Sequence, residues 1–527
     1  MALSPVLING TWQAPKSPIG EFQAMDPSSK TFIPETFPVS SFKDIETAIK
    51  SSLKAAKELR SMNKNQIGRF LEIYAKNILE NQSSIVKKAA RETGLPEKPR
   101  LMNIELPRTV DQLRQTAEAV IDGSWCHPII DTKLNIRSKY APLGGPVILF
   151  GPNNFPLAFN SVSGGDFAAA IAAGNPAIAK ANPGHPGTTR LFAEAALDAV
   201  QKAGLPLSTV QLLYHFNSED GFRLVSHPWV SATAFTGNRK AGLQLKKQAE
   251  QAGNLIYLEL SSVNPVILFP GAVEERPHQI SKELFESCTL GMGQFCTNPG
   301  LVILMKNKKQ SLFLNSLKNL FDQEPNGYLL GEQVLEELKV SVKKLINNGA
   351  ELITGGEEWE DQGYKFAYTL LSISGKDFLK NSSALQTEAF GTCSLVVLTQ
   401  DSEETRKVLS SLEGNLTGTF YTKNTDRDDH LYEELESVLR PKVGRLLNNK
   451  MPTGVAVTAS MNHGGPYPAS GHPGFTSVGI PSSIKRFAAL HCYDHVSQDS
   501  LPLELKDKNP SGKMWRFIDA NWTQEDI

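Results

Sequence analysis

Between residues 146 and 269, short apolar runs alternate with amphipathic stretches, and this alternation limits the fold more than any other feature of the chain. PVILF (146–150), PAIAK (176–180), VQLLYHF (210–216), VSATAFTG (230–237), NLIYLEL (254–260) and NPVILF (264–269) have the length and apolar content of buried strands. Between them, PLAFNSVSGGDFAAAIAAG, GTTRLFAEAALDAVQKAG and NRKAGLQLKKQAEQAG read as helices. Parallel strands need such crossovers, so an α/β, Rossmann-like sheet is predicted. A second alternating region spans 280–440, with LVILMK (301–306), SLVVLT (394–399) and GNLTGTFYT (414–422). Residues 40–120 read as helices, FKDIETAIKSSLKAAKELR and QIGRFLEIYAKNILENQSSIVKKAARETG each carrying apolar positions at helical spacing. TKLNIRSKYAPLG (132–144) reads as a β-ribbon interrupting the first region. The polar, Pro-punctuated HVSQDSLPLELKDKNPSGKMWRFIDANW is expected to wrap the surface or a neighbouring subunit.

A chain of 527 residues suggests roughly three domains at ~150 residues each. Lys and Arg number 54 against 55 Asp and Glu, a formal net charge of −1, so nothing favours nucleic acid or a membrane surface as a partner. The most apolar run, Phe167 to Ala179, is broken by Gly174-Asn175-Pro176 and is too short to span a bilayer. MALSPVLINGTW lacks a basic n-region and an apolar core, so no signal peptide is read. Five cysteines without CxxC argue against a disulfide framework or a zinc ribbon, and a reduced, cytoplasmic setting is expected.

Cys296 follows the helix-like SKELFESCTLGM, inside Gly293-Gln294-Phe295-Cys296-Thr297. A thiol just past a helix in a Gly-containing turn can keep its own backbone N–H free, facing an oxyanion that forms on whatever the sulfur attacks. A lone cysteine is more often a small core residue, and Cys126, Cys288, Cys393 and Cys492 are read so. Asn154 lies just past the strand PVILF, where open α/β sheets place ligands and where an amide could donate to an oxyanion, although Pro-Asn-Asn would form a turn in any case. Glu259 sits between Leu258 and Leu260 at a strand end, where burial would raise its pKa toward neutrality and suit a general base. The alternative is a strand-end carboxylate facing solvent. Lys180 ends another strand, within reach of a ribose or phosphate.

Four segments, GPNNFP (151–156), AIAKANPGHPG (177–187), LELSSVNP (258–265) and GQFCT (293–297), resemble in order and rough spacing the core of the aldehyde dehydrogenase superfamily. The resemblance runs from Ile8-Asn9-Gly10 to beyond Gly479. It implies a cofactor domain in two segments, 1–131 and 145–260, split by an oligomerisation ribbon at 132–144. A catalytic domain over 261–445 and a return segment with a C-terminal arm over 446–527 follow. It implies Cys296 as nucleophile, Asn154 as oxyanion donor and Glu259 as the base that activates water, with no metal. LELSSVNP departs from the family's LELGGKSP, and the loss of both glycines is expected to narrow the entry to the cysteine. Lys180 resembles the family's cofactor lysine in K-P-A-E, but here Lys180-Ala181-Asn182-Pro183 lacks the Glu that grips both ribose hydroxyls. With that charge gone and Asn182 and His185 nearby, NADP is favoured over NAD, or dual use. Thr236, Gly237 and Gly242 resemble the turn under the pyrophosphate, and Glu388 and Phe390 the E-x-F-G element at the nicotinamide ribose.

NHGGPYPASGHPGFTSVG (462–479) resembles the NADP-using bacterial subfamily that holds 2,5-dioxovalerate (α-ketoglutarate semialdehyde) dehydrogenases and a fatty aldehyde dehydrogenase. The tail ELKDKNPSGKMWRFIDANW points to the former. His463 either lies close enough to assist the thiol or is a loop histidine bonding backbone. Arg108, with Glu105 and Gln112 on the same helical face, is a candidate for a substrate carboxylate, against the reading of an exposed helical arginine. A medium- or long-chain aliphatic aldehyde is the alternative substrate. Coenzyme A in place of water, or a silent binding protein, fits less well, because Glu259 and the other core positions are retained. A homodimer or homotetramer is expected from the ribbon and tail.

Overall fold

The computed structural model describes residues 3–424 and 429–527. Val147–Phe150, Ala177–Lys180, Val210–Leu213, Ala232–Thr236 and Leu255–Glu259 form the parallel part of a seven-stranded sheet, and Val6–Ile8 and Thr11–Gln13 extend it antiparallel. The spatial order runs from Leu255–Glu259 through Ala232–Thr236, Val147–Phe150 and Ala177–Lys180 to Val210–Leu213. Chain order therefore reverses at Val147–Phe150, and such a switch point opens a crevice outside the carboxyl ends of the strands. Register pairs Phe150 with Lys180 and Thr236 with Glu259, so these ends share one rim.

Val266–Leu268, grouped by periodicity with the first region, instead belongs to a second seven-stranded sheet, between Leu301–Met305 and Asn415–Tyr421. Cys393–Thr399, Thr369–Ser374 and Glu351–Thr354 continue it on one side and Val443–Asn448 on the other. The segment Leu260 to Pro265 is thus the crossing between two sheets. Each sheet has its own core. Phe70, Tyr74 and Phe167 pack ring against ring under the first, and Phe313, Leu395 and Phe420 are buried in the second. Each such side chain contributes about 1.5–3 kcal/mol by leaving water.

Two helical expectations change. The run 66–94 is two helices, Lys64–Glu80 and Gln82–Thr93, divided at Asn81, whose backbone closes one and opens the next. Residues 156–164 are not helical, and a helix forms only over Gly165–Ala172. Asn160 accepts from the Val162 N–H and donates to the Pro156 carbonyl, while the Ser163 hydroxyl donates to the Leu157 carbonyl. These local bonds compete with helical ones.

The ribbon is a hairpin of Ile129–Asp131 and Ile136–Pro142, paired on one side with Ala488–Asp494 and on the other with Arg516–Ile518. The C-terminal tail thus wraps the chain's own ribbon. Cys126, Cys288 and Cys393 are buried as expected, but Cys492 is exposed on Ala488–Asp494, a correction to its reading as core: that strand forms the outer edge of its sheet. Among the described residues no helix is long and apolar enough to cross a membrane. Arg516, fully buried, donates to the carbonyls of Lys506, Asp507 and Glu525 and ties the tail into a loop. Arg516→Met is expected to loosen the tail by about 2 kcal/mol, because buried carbonyls lose their donors. Limited proteolysis should then cut after residue 495 well before the rest of the chain, and cleavage no faster than in the unaltered protein would contradict this.

Candidate active site

Glu259, His463 and Cys296 meet where the two sheets face each other. Glu259 ends its strand, and residues 469–471 pair with that end from the outer side: the Leu260 N–H donates to the Ala469 carbonyl and the Gly471 N–H to Leu258. The same return segment brings His463 and Ser477. His463 Nε2 lies 2.8 Å from Glu259 Oε1 and 3.4 Å from Cys296 Sγ, and the Ser477 hydroxyl donates to Glu259 Oε2 at 2.8 Å. Burial would raise the Glu259 carboxyl, as anticipated from the sequence, but the adjoining His463 and the Ser477 hydroxyl overcome it and hold the group below its usual range. Glu259 is therefore ionised near neutrality, not poised there, which corrects the expected pKa while leaving an available base. Burial, and then the Glu259 charge, push the Cys296 thiol well up. The thiol thus rests protonated, with an acceptor beside it.

The cysteine turn is strained into place. Gly291, Met292 and Gly293 all adopt left-handed backbone, φ 56°, 58° and 69°, which glycine tolerates and methionine does not favour. A Cβ at Gly293 would lie 2.2 Å from the Gly391 carbonyl oxygen, so only glycine fits. Asn264 donates to the carbonyls of Cys296 (2.9 Å) and Asn298 (2.8 Å), locking the turn from the inter-sheet crossing. The Cys296 N–H makes no hydrogen bond among the described residues. Asn154 is buried, and its Nδ2 donates to the Gln294 carbonyl at 2.9 Å, which fixes one amide hydrogen and leaves the other for an oxyanion beside the thiol. A buried Arg100–Glu105 pair supports this wall: Arg100 donates to the Asn154 carbonyl, and Glu105 Oε1 accepts the N–H groups of Leu157 and Ala158.

Arg108 is not an exposed helical arginine. Its guanidinium lies over Phe155 (5.8 Å) and Phe159 (5.2 Å), and Nη1 donates to the Val455 carbonyl at 2.7 Å. Nε and Nη2 are buried and without partners among the described residues. Phe159 stands edge-on to His463, and Phe155 edge-on to Phe295, next to the cysteine. Gln112, by contrast, donates to the Ala158 and Ser163 carbonyls and braces the same wall; being occupied there, it offers its amide N–H groups to no substrate.

On the other side of the crossing lies a cleft of about 310 Å³, bordered by Ser261, Glu388, Glu413 and Asn415. Burial pushes Glu388 up to about 7 against hydrogen bonds from Ser261 and the Ser262 N–H. Ser262 is buried and bonds Asn264, Asn415 and Leu416, so its side chain braces the crossing. Phe390 borders a smaller cavity with Glu388 and Phe295. Lys180 makes no hydrogen bond or ion pair among the described residues, and burial pushes its ammonium down to about 8. Thr236 and Gly237 end their strand above the helix Arg239–Gln251, where Gly242 lies against Leu260 and Asn238 caps the first turn. Two other expected cofactor residues face inward. His185 is fully buried with Nε2 at the Pro152 carbonyl, and the Asn182 amide bonds Gly151 and Gly184. Both hold loops together: His185 is enclosed there, while Asn182 is half-buried and commits one of its two amide hydrogens.

Residues 12–483 match the model of the aldehyde dehydrogenase family. The chain belongs to that family. It is 38% identical over 503 residues to an α-ketoglutaric semialdehyde dehydrogenase of Azospirillum brasilense, covering 93% of this chain and 94% of that protein. A protein of the same description from Acinetobacter baylyi is 34% identical, covering 95% and 96%. The fold matches the crystal structure of Escherichia coli lactaldehyde dehydrogenase with a TM-score of 0.79 at 21% identity, over 93% of this chain and 98% of that one. As an aldehyde dehydrogenase, the chain oxidises an aldehyde with a nicotinamide dinucleotide. The inter-sheet cleft fits such a group, since the Glu388 carboxyl and the Arg239 guanidinium border it, and Lys180, at the end of a strand of the first sheet, has no partner among the described residues.

Sequence reasoning missed Ser477, Asn264, Arg100 and Arg445. Arg445 anchors the carbonyls of Pro452 and Gly454, and nothing around it in the sequence signals that position. Asn-Pro at 264–265 was a readable sign of a turn. Because the Glu259 charge opposes thiolate formation, Glu259→Gln should shift iodoacetamide alkylation of Cys296 to lower pH while lowering turnover by roughly 10²–10⁴. An unshifted alkylation profile would show that the charge does not reach the sulfur.

Proposed function

We propose that this aldehyde dehydrogenase oxidises 2,5-dioxopentanoate (α-ketoglutarate semialdehyde) to 2-oxoglutarate through a Cys296 thioester. The buried, partnerless Nε–Nη2 edge of Arg108 carries this reading. Those two N–H groups form the side of a guanidinium that pairs bidentately with a carboxylate. Buried beside an aromatic collar that reaches the thiol, they call for an acidic end on the substrate and penalise an alkyl one. The names of the Azospirillum and Acinetobacter relatives support the same substrate.

The Cys296 thiol gives up its proton to the Glu259 carboxylate, which releases it to solvent before hydrolysis, and Sγ adds to the aldehyde carbon. The Cys296 N–H and the free Asn154 amide hydrogen face the oxygen that takes up the negative charge. When bound, the dinucleotide supplies the hydride acceptor that converts the adduct to a thioester. Glu259, ionised and held by Ser477, then takes a proton from water as its oxygen attacks the acyl carbon. The C–S bond breaks, the carboxylate leaves and the thiol is restored. Lys180 and Glu388 would hold the ribose groups, with Thr236, Gly237 and Gly242 beneath the pyrophosphate. NADP is favoured because Pro183 stands where a ribose-gripping carboxylate would repel a 2′-phosphate; His185 adds nothing to that preference. A homo-oligomer is supported by the exposed edge strand Ala488–Asp494, whose Leu490 is 60% exposed.

Initial rates with the semialdehyde and with hexanal, each with NADP and NAD, test this reading. Arg108→Met should raise KM for the semialdehyde about tenfold or more, as loss of a charged hydrogen-bond pair costs ~1.5–3 kcal/mol, and change hexanal far less. Equal losses on both substrates would remove Arg108 as the carboxylate receptor.

A further inference from the structure

Arg239 begins the helix after Gly237 on the first sheet, and Glu413 lies just before strand Asn415–Tyr421 of the second. Arg239 Nη1 is 2.7 Å from Glu413 Oε2 and Nη2 is 3.5 Å from Oε1, and the guanidinium lies 5.9 Å over the ring of Tyr467 in the return segment. This contact joins the two sheets directly across the cleft of about 310 Å³, and both members border it. Three observations distinguish it from an ordinary surface pair. Both of its members line the cleft, Arg239 just past the Gly237 turn. The helix it opens has its Ala241 N–H capped by Asn238, while the N–H groups of Arg239 and Lys240 bond nothing among the described residues. Those donors, the guanidinium and the helix dipole together favour an anion at this spot. And each side chain keeps more than a third of its surface open, 39% and 37%, so the pair adds little stability and opens readily.

We propose that Arg239 grips a phosphate of the dinucleotide, and that Glu413 holds Arg239 across the cleft until the cofactor displaces it. The fork that pairs with the Glu413 carboxylate has the geometry to pair with two phosphate oxygens. Glu413 thereby acts twice against the empty-to-bound change: it occupies the arginine, and its negative charge faces the incoming phosphates. This inference rests on the dinucleotide reading of the cleft but on no particular aldehyde.

Binding of NADP and of NAD to the full chain without aldehyde, followed by calorimetry or tryptophan quenching, tests it. Arg239→Gln should weaken both by about tenfold or more, the loss of a charge-assisted contact. Glu413→Gln should tighten both by roughly two- to fivefold, the scale of a half-exposed ion pair, and this gain should vanish in the Arg239→Gln background. Arg239→Lys, which keeps the charge without the fork, should fall between and guards against a folding defect in the glutamine variant. An unchanged dissociation constant in Arg239→Gln, or weaker or unchanged binding in Glu413→Gln, overturns the latch. An unaltered chain that binds neither dinucleotide overturns the cofactor reading along with it.

Discussion

A carboxylate buried at the end of a parallel strand sets the terms for everything around it. Glu259 closes the outer strand of the first sheet, where an unpaired edge and an unpartnered charge would both be costly. Residues 469–471 answer the first need by pairing with Leu258 and Leu260, and the same segment answers the second by carrying His463 and Ser477 to the carboxylate. Once those partners are fixed, the ring nitrogen of His463 also reaches Cys296, and the thiol, the base and the crossing between the sheets become one unit. Asn264 closes it by tying that crossing to the cysteine turn. Chemistry and folding share these contacts, and leaving the buried Glu259 carboxylate without its partners is expected to disturb both.

The proposed roles place two anionic tasks on two arginines on opposite sides of the crossing. Arg108 keeps a free, desolvated edge among Phe155 and Phe159 on the thiol side, and Arg239 is held by Glu413 on the cleft side. One is preorganised and the other is exchangeable. In the proposed reading, a substrate carboxylate would meet a receptor already stripped of water, whereas the larger dinucleotide would part a contact that otherwise joins the two sheets.

Much of this was legible in the residues. The parallel strands were readable because buried strands are short apolar runs between amphipathic helices, and Cys296, Asn154, Glu259 and Lys180 were readable because their motifs sit at strand and helix ends. What stayed hidden depends on long-range partners. The lowered pKa of Glu259 needs His463, 204 positions further along the chain by their residue numbers. Gln112 and His185 have the right chemistry for ligands, but their partners turned out to be backbone carbonyls of neighbouring loops. The failed helix at 156–164 shows local side-chain bonding overriding apolar spacing, and the tail's return to its own ribbon depends on Arg516, whose three carbonyl partners no local pattern announces.

The central claim is that Cys296 carries the acyl group and Glu259 delivers the water that removes it. Intact-protein and peptide mass spectrometry of the Glu259→Gln enzyme, mixed with dinucleotide and semialdehyde and quenched in acid, measures this directly. The account expects one acyl group per chain, on the peptide containing Cys296 and absent from the one bearing only Cys288. No adduct, or an adduct elsewhere, would contradict it.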